Sequence, residues 1–199
     1  MMHKPFSQSC ENNKHAILQI IQPVFAESKQ VWEIGSGTGQ HACYFAEHLP
    51  HLLWQATDRS ENLVGINSWL QQAELSNLPK ALALDVLENT WPCTQITALF
   101  TANTLHIMPW RAVQSLFVGL GEYLTEQAVV CIYGPFNYNG AYTSASNAQF
   151  DHWLKSIDPL QGIRDFDAVI NLANGANLEL INDFAMPANN RLLVLRKLG

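Results

Sequence analysis

Val31-Trp32-Glu33-Ile34-Gly35-Ser36-Gly37-Thr38-Gly39-Gln40 is the stretch whose reading decides the fold. Four residues of strand character run into three alternating glycines. Beyond them Ala42, Phe45, Ala46 and Leu49 recur at the i, i+3, i+4, i+7 spacing of an apolar helix face. A strand that turns through glycines into a helix opens a doubly wound α/β sheet: glycine lets the backbone turn tightly and leaves bare main chain for a ligand.

Working outward, the same unit repeats. Ile17, Leu18, Ile21, Val24 and Phe25 predict an amphipathic helix ending near Glu27-Ser28. Residues 52–56 read as a second strand ending at Thr57-Asp58, and Ser60 as the cap of a helix carrying Leu63, Ile66 and Leu70. A third strand covers 81–84 and a fourth 96–102; Pro109 then suits the first turn of a helix with Val113, Leu116, Phe117 and Leu120 on one face. The near-continuous apolar run at 128–133 is a strand covered on both sides. Helices are expected around Phe150 to Ile157 and from Asp165 to Ala173. Strands at 178–184 and 192–195, joined by a short turn-rich segment, make a terminal antiparallel hairpin. The expectation is an α/β Rossmann-like seven-stranded sheet of the class I methyltransferase type, with helices on both faces and an antiparallel C-terminal hairpin.

At 199 residues the chain suits a single domain, with 1–28 as a helical cover and 29–199 as the α/β core. Eleven Lys and Arg against seventeen Asp and Glu give a net charge of −6, with the basic residues scattered, so nucleic acid is not expected as a partner. Cys10, Cys43, Cys93 and Cys131 lie far apart and read as buried free thiols; the dispersed histidines, including His48 and His51 at the surface, predict no metal site. The polar start lacks the apolar segment of a secretion signal, and no apolar run reaches membrane-spanning length. The expectation is a cytoplasmic location without membrane contact; sequence leaves the oligomeric state open.

The glycine spacing bears on the ligand. A dinucleotide site places its third glycine one residue later than Gly39, where this chain has Gln40, and an acid at Glu33 sits badly beside a diphosphate. Glu33 suits instead the cationic amino group of a methionyl moiety. Asp58, with Arg59 beside it, ends the second strand where a carboxylate can accept from a ribose diol. Asp85 ends the third, placed to accept from an adenine amino group while the Val86 N–H donates to the ring. Together these predict S-adenosylmethionine on Glu33, Gly35, Ser36, Gly37, Gly39, Asp58, Arg59, Asp85 and Val86. At the fourth strand's end, Asn103 would orient cofactor or acceptor and His106 would accept a proton; a structural histidine bonded to backbone is the competing role for His106. The Asn/Asp-Pro-Pro-aromatic motif of enzymes that methylate base amino groups is absent.

Several further motifs carry a resemblance. The segment 7–14 before an apolar helix, Asn103 to Trp110 with its His-x-x-Pro-Trp, Gly134-Pro135-Phe136, Phe150-Asp151, Asp158-Pro159, Gly162-Ile163-Arg164-Asp165 and Met186-Pro187-Ala188-Asn189-Asn190 together resemble the methyltransferase-like 26 family over nearly the whole chain. The resemblance implies a class I methyltransferase fold and an S-adenosylmethionine cofactor with no settled substrate. It adds Asn13 to the cofactor residues and suggests Tyr138, Tyr142, Arg164, Asp165, Asn189 and Asn190 as an acceptor-pocket wall; helix-cap and turn roles compete for Asp165 and the two asparagines. Such relatives typically carry Arg before that Asn, and Asn12 cannot supply its charge.

The reading is therefore methyl transfer to a small-molecule acceptor. A module that binds S-adenosylmethionine or S-adenosylhomocysteine without turnover is the second hypothesis. An NAD-dependent oxidoreductase is disfavoured by Gln40 and the hairpin.

Overall fold

The computed structural model describes residues 4–199, and its sheet grows from the opening unit expected above. α1 (Gln8–Val24) starts at Ser7, whose hydroxyl accepts from the Cys10 N–H, and stops short of Glu27-Ser28 with Pro23 in its last turn. β1 (Gln30–Ile34) turns into α2 (Gln40–His48), β2 (Leu53–Asp58) leads to α3 (Leu63–Ala73), and the short β3 (Leu82–Ala83) precedes β4 (Ile96–Ala102). α4 (Trp110–Tyr123) and β5 (Leu124–Gly134) follow. The parallel pair β6 (Phe136–Asn137) and β7 (Arg164–Asp165), which periodicity did not reveal, flanks α5 (Ala145–Ile157). α6 (Phe166–Gly175), β8 (Leu178–Met186) and β9 (Asn190–Lys197) complete the order.

Two predicted helix starts are corrected. Ser60 opens a 3₁₀ turn (Ser60–Asn62) and caps nothing, because Asp58 already holds the Asn62 amide and α3 begins only at Leu63. Pro109 occupies the cap position, with Trp110 as the first helical residue.

The sheet runs β3-β2-β1-β4-β5-β9-β8. β1 to β5 pair in parallel; β9 inserts antiparallel between β5 and β8, as the hairpin requires. Strand order reverses between β1 and β4, and a crevice opens at such a reversal beyond the carboxyl ends of the strands. The loops after β1 and β4 therefore face each other across it.

Period-two alternation divides the strand residues between two cores. Phe100, Cys131, Tyr133, Leu192 and Val194 pack with Ile17, Ile21, Phe25, Phe45, Trp54 and Ile66 on the side of α1, α2 and α3. Leu99, Val130, Ile132, Leu193 and Leu195 pack with Val113, Leu116, Phe117 and Val169 on the side of α4 and α6. Burial on both faces explains why β5 and β9 read as unbroken apolar runs. At Gly119 a Cβ would lie 2.2 Å from the Trp91 ring, so a mid-helix glycine lets that indole lie flat on α4. All four cysteines are free thiols; only Cys131 is fully buried, since the other three sit on helix flanks and a loop. Among the described residues no helix is long and apolar enough to cross a membrane.

Candidate functional site

One cavity of about 1130 Å³ occupies the crevice, reaching from the glycine turn to α5. Its first end is built by short-range chain geometry. Gly35 and Gly37 have φ of +73° and +59°, in the left-handed region that side chains resist. A Cβ on Gly35 would meet Thr104 Cγ2 at 2.7 Å, so this glycine lets the β1 and β4 loops touch. A Cβ on Gly37 would meet nothing within 4 Å, and this glycine lines the cavity with bare main chain. Ser36 locks the turn: its N–H donates to the Thr57 carbonyl at 3.0 Å and its hydroxyl accepts from the Thr57 N–H at 3.2 Å.

Asp58 is buried on the cavity wall. Oδ2 accepts from the Gly37 N–H at 2.7 Å, and Oδ1 accepts from the Arg59 N–H at 2.8 Å and the Asn62 amide at 2.7 Å. A carboxylate offers about four lone-pair sites. One on Oδ2 thus remains open, and accepting a second hydrogen bond from a ligand requires release of one of these three donors. Arg59 lines the cavity with an exposed side chain paired to Glu61 at 2.9 Å. Asp85 accepts from the Leu87 N–H on one oxygen, and the Val86 N–H has no partner among the described residues; both line the cavity.

Two predicted cofactor residues lie outside it. Glu33 points into the core, where Oε2 accepts from Trp54 Nε1 at 3.0 Å. Burial foremost, with Asp58's charge as a lesser contribution, pushes its carboxyl up to about 7. Direct grip on an amino group is corrected accordingly: β-strand alternation turns residue 33 away from the crevice. Gly39 starts α2, and a Cβ there would crowd Ile66 O and Leu70 Cδ1, both at 3.2 Å, so it serves helix packing.

The N-terminal segment covers this end. Asn13 is buried on the cavity wall and its Oδ1 pairs with His41 Nε2 at 2.7 Å. Gln40, 3% exposed, fastens the cover: its Oε1 accepts from the Ser7 N–H and its Nε2 donates to Glu11, both at 2.6 Å. Gln40 thus has a positive role beyond its place in the glycine spacing. Ser7, Ser9, Cys10 and Asn12 also line the cavity, a contribution that strand and helix periodicity gave no signal for.

Across the crevice, Asn103 adopts φ +55° after β4, and its N–H donates to the Tyr133 carbonyl at 2.8 Å. Asparagine tolerates this left-handed conformation better than most residues, which fits its place at the turn. His106 is 5% exposed and lines the cavity; its ring makes no hydrogen bond among the described residues. Burial first, then the Arg164 charge, lowers its pKa to about 4. The expected competing role, a ring bonded to backbone, is not what the structure shows.

Of the residues suggested as an acceptor wall, only Asn190 lines the cavity. Tyr138 donates to Asp183 at 2.7 Å and stacks on Phe166; Tyr142 donates to buried Asp151 at 2.6 Å. Asp165 caps α6 and also accepts from the Gly140 N–H, and the Asn189 carbonyl accepts from the Asn147 amide. Arg164 braces rather than lines: Nε donates to the Leu105 carbonyl at 3.0 Å, while Nη2 donates to the Met108 and Leu160 carbonyls. This holds the loop that carries His106. The actual wall comes from Ile107, Met108, Arg111, Phe150, Trp153 and Gln161, among others.

Strand order, the antiparallel insertion of β9 and the glycine turn at the crossover define a class I methyltransferase fold. The chain belongs to the family described as "Protein of unknown function (DUF938)", whose model matches residues 4–197. Among solved structures, an O-methyltransferase family protein from Burkholderia thailandensis superposes with a TM-score of 0.77 at 14% identity, covering 94% of this chain and 58% of that one. The S-adenosylmethionine-dependent methyltransferase SibL, in its apo form, gives 0.76 at 18% identity, covering 93% and 57%. An O-methyltransferase family 2 protein from Planctomyces limnophilus in complex with apigenin gives 0.73 at 16% identity, covering 85% and 51%. This chain therefore spans little more than half the length of those proteins.

Proposed function

We propose that this chain is an S-adenosylmethionine-dependent methyltransferase acting on a small molecule, as its resemblance to the methyltransferase-like 26 family implies. The observation that carries the reading is the continuity of one cavity from the bare main chain at Gly37, past Asp58 and Val86, to the unpartnered His106 ring. The residues present fit the cofactor. The Gly37 side has open space; Asp58 keeps a lone pair for a ribose hydroxyl, Asp85 keeps one for an adenine amino group, and the free Val86 N–H suits an adenine nitrogen. A volume of about 1130 Å³ also exceeds the roughly 300–1,000 Å³ usual for one ligand, leaving space for an acceptor.

When bound, S-adenosylmethionine supplies a methyl group whose carbon–sulfur bond breaks, its electron pair going to sulfur, as the acceptor's lone pair takes the carbon. Asn103 and the Thr104–Met108 loop, braced by Arg164, orient the acceptor. His106 stays neutral at physiological pH and takes the acceptor's proton, yet its low basicity limits that contribution. Alignment can supply roughly 7–11 kcal/mol against about 3–5 kcal/mol for a positioned base. Positioning is therefore the main task of this site.

Calorimetric titration with S-adenosylmethionine, S-adenosylhomocysteine and NAD tests the reading. Both sulfur compounds are expected to bind and NAD is not. Tight NAD binding without response to either sulfur compound would overturn it.

A further inference from the structure

The far end of the cavity has a chemistry of its own. Phe150 and Trp153 lie one turn apart on α5 with near-parallel rings, centroids 5.7 Å apart and planes 19° apart. His106 meets Phe150 edge-on at 5.3 Å and 74°. All three line the cavity, as does Ile107. Yet Trp153 is 56% exposed and Ile107 45% exposed, so large apolar surface borders the cavity without cover from the rest of the chain. Helix faces of this kind are ordinarily packed. Near-parallel rings left open on one side extend readily by one more flat ring in an offset stack.

Charge narrows the class of ligand. Besides Asp58, Arg59 and Asp85, the cavity wall carries the charges of Arg111 and Asp158, one of each sign, and one Asp158 oxygen accepts from the Leu160 N–H at 2.9 Å; Arg164, behind the wall, acts on His106 through its charge. The polar groups around this end, from Asn103, His106, Ser146, Asn147, Gln161 and Asn190, are neutral at physiological pH. A cation would find no net opposite charge to replace its lost hydration, and an anion would find only Arg164, whose Nε and Nη2 already donate to backbone carbonyls.

Resting on the methyl-transfer reading above, we propose that the acceptor is an uncharged planar aromatic alcohol whose ring stacks on the Phe150–Trp153 pair and whose hydroxyl faces His106. An aliphatic alcohol of equal size fills the same space without matching the ring faces. An aromatic carboxylate brings a charge that Arg111 cannot neutralise without leaving Asp158 opposed to it.

The test uses the full chain with naphthol, its saturated counterpart decahydronaphthol and hydroxybenzoate, measured by calorimetry and saturation-transfer NMR with S-adenosylhomocysteine present. Naphthol is expected to bind at least tenfold more tightly than either other probe. Trp153→Leu should weaken naphthol binding on the order of tenfold while leaving S-adenosylhomocysteine affinity within twofold. Because Trp153 is largely exposed, this variant keeps the fold, which thermal unfolding checks. Equal affinity for the two alcohols, tighter binding of hydroxybenzoate, no naphthol binding up to its solubility, or indifference to Trp153→Leu would each overturn the proposal. Trp153-dependent naphthol binding without any S-adenosylhomocysteine binding would leave the aromatic site standing and sink the methyl-transfer reading.

Discussion

The two ends of the cavity are built by different means. The glycine end joins successive strand-to-helix loops through bonds that each engage a main-chain group: Ser36 to Thr57, Asp58 to Gly37 and Arg59, Leu84 to Asp58. The α5 end is assembled from segments near 106, 150 and 190, held by side chains such as Arg164 reaching carbonyls over fifty residues away. The first end rests on main-chain groups that substitution leaves in place; the second rests on side chains that substitution can change.

Substitutions that separate the two ends break or sharpen this contrast. The largest effect is expected for Gly35→Ala, which forces a side chain into positive φ and against Thr104. We expect a loss of roughly 2–5 kcal/mol in stability, read by denaturant unfolding, together with loss of cofactor binding. A neutral outcome would mean that the β1 and β4 loops are not coupled there.

Next, Asp58→Ala should weaken S-adenosylhomocysteine binding on the order of ten- to hundredfold in calorimetry, with naphthol affinity little changed. Equal losses for both ligands would erase the distinction between the ends.

The smallest effect on the site is expected at Glu33, which lies beneath it. Its carboxyl titrates near 7 in the fold and near 4.5 when unfolded, so the folded state holds the extra proton between these values. Its contribution to stability is therefore present below pH 4.5 and lost as pH rises through 7. Glu33→Gln keeps an acceptor for Trp54 and should stabilise the protein above pH 7 by up to about 3 kcal/mol, measured by unfolding across pH. Cofactor affinity should stay within threefold; a large loss would return Glu33 to the site. His106 and His41, both lowered to about 4 by burial, act in the opposite sense, their contributions being lost as pH falls from 6.5 towards 4.

The same contrast explains what was legible in the sequence. Strand-glycine-helix order and the acids after β2 and β3 are local patterns, and they marked out one end of the cavity along with the sheet. Glu33 misled because a motif residue's type was visible but not the face its strand would give it. Tyr138 and Tyr142 misled differently: they stand out as family residues, yet their partners are Asp183 and Asp151, while Asp165 takes the helix-cap role that competed for it. Trp153 and Phe150 read as an ordinary apolar helix stripe, and only tertiary packing shows that the stripe borders open space.

The insertion of β9 between β5 and β8 has a consequence for biosynthesis. Residues 190–197 fill an interior position of the sheet, so until they leave the ribosome β5 presents a bare, strongly apolar edge. The nascent chain can assemble its glycine turn early, but the sheet closes only after translation has passed residue 197. During that interval the open edge is exposed to mispairing.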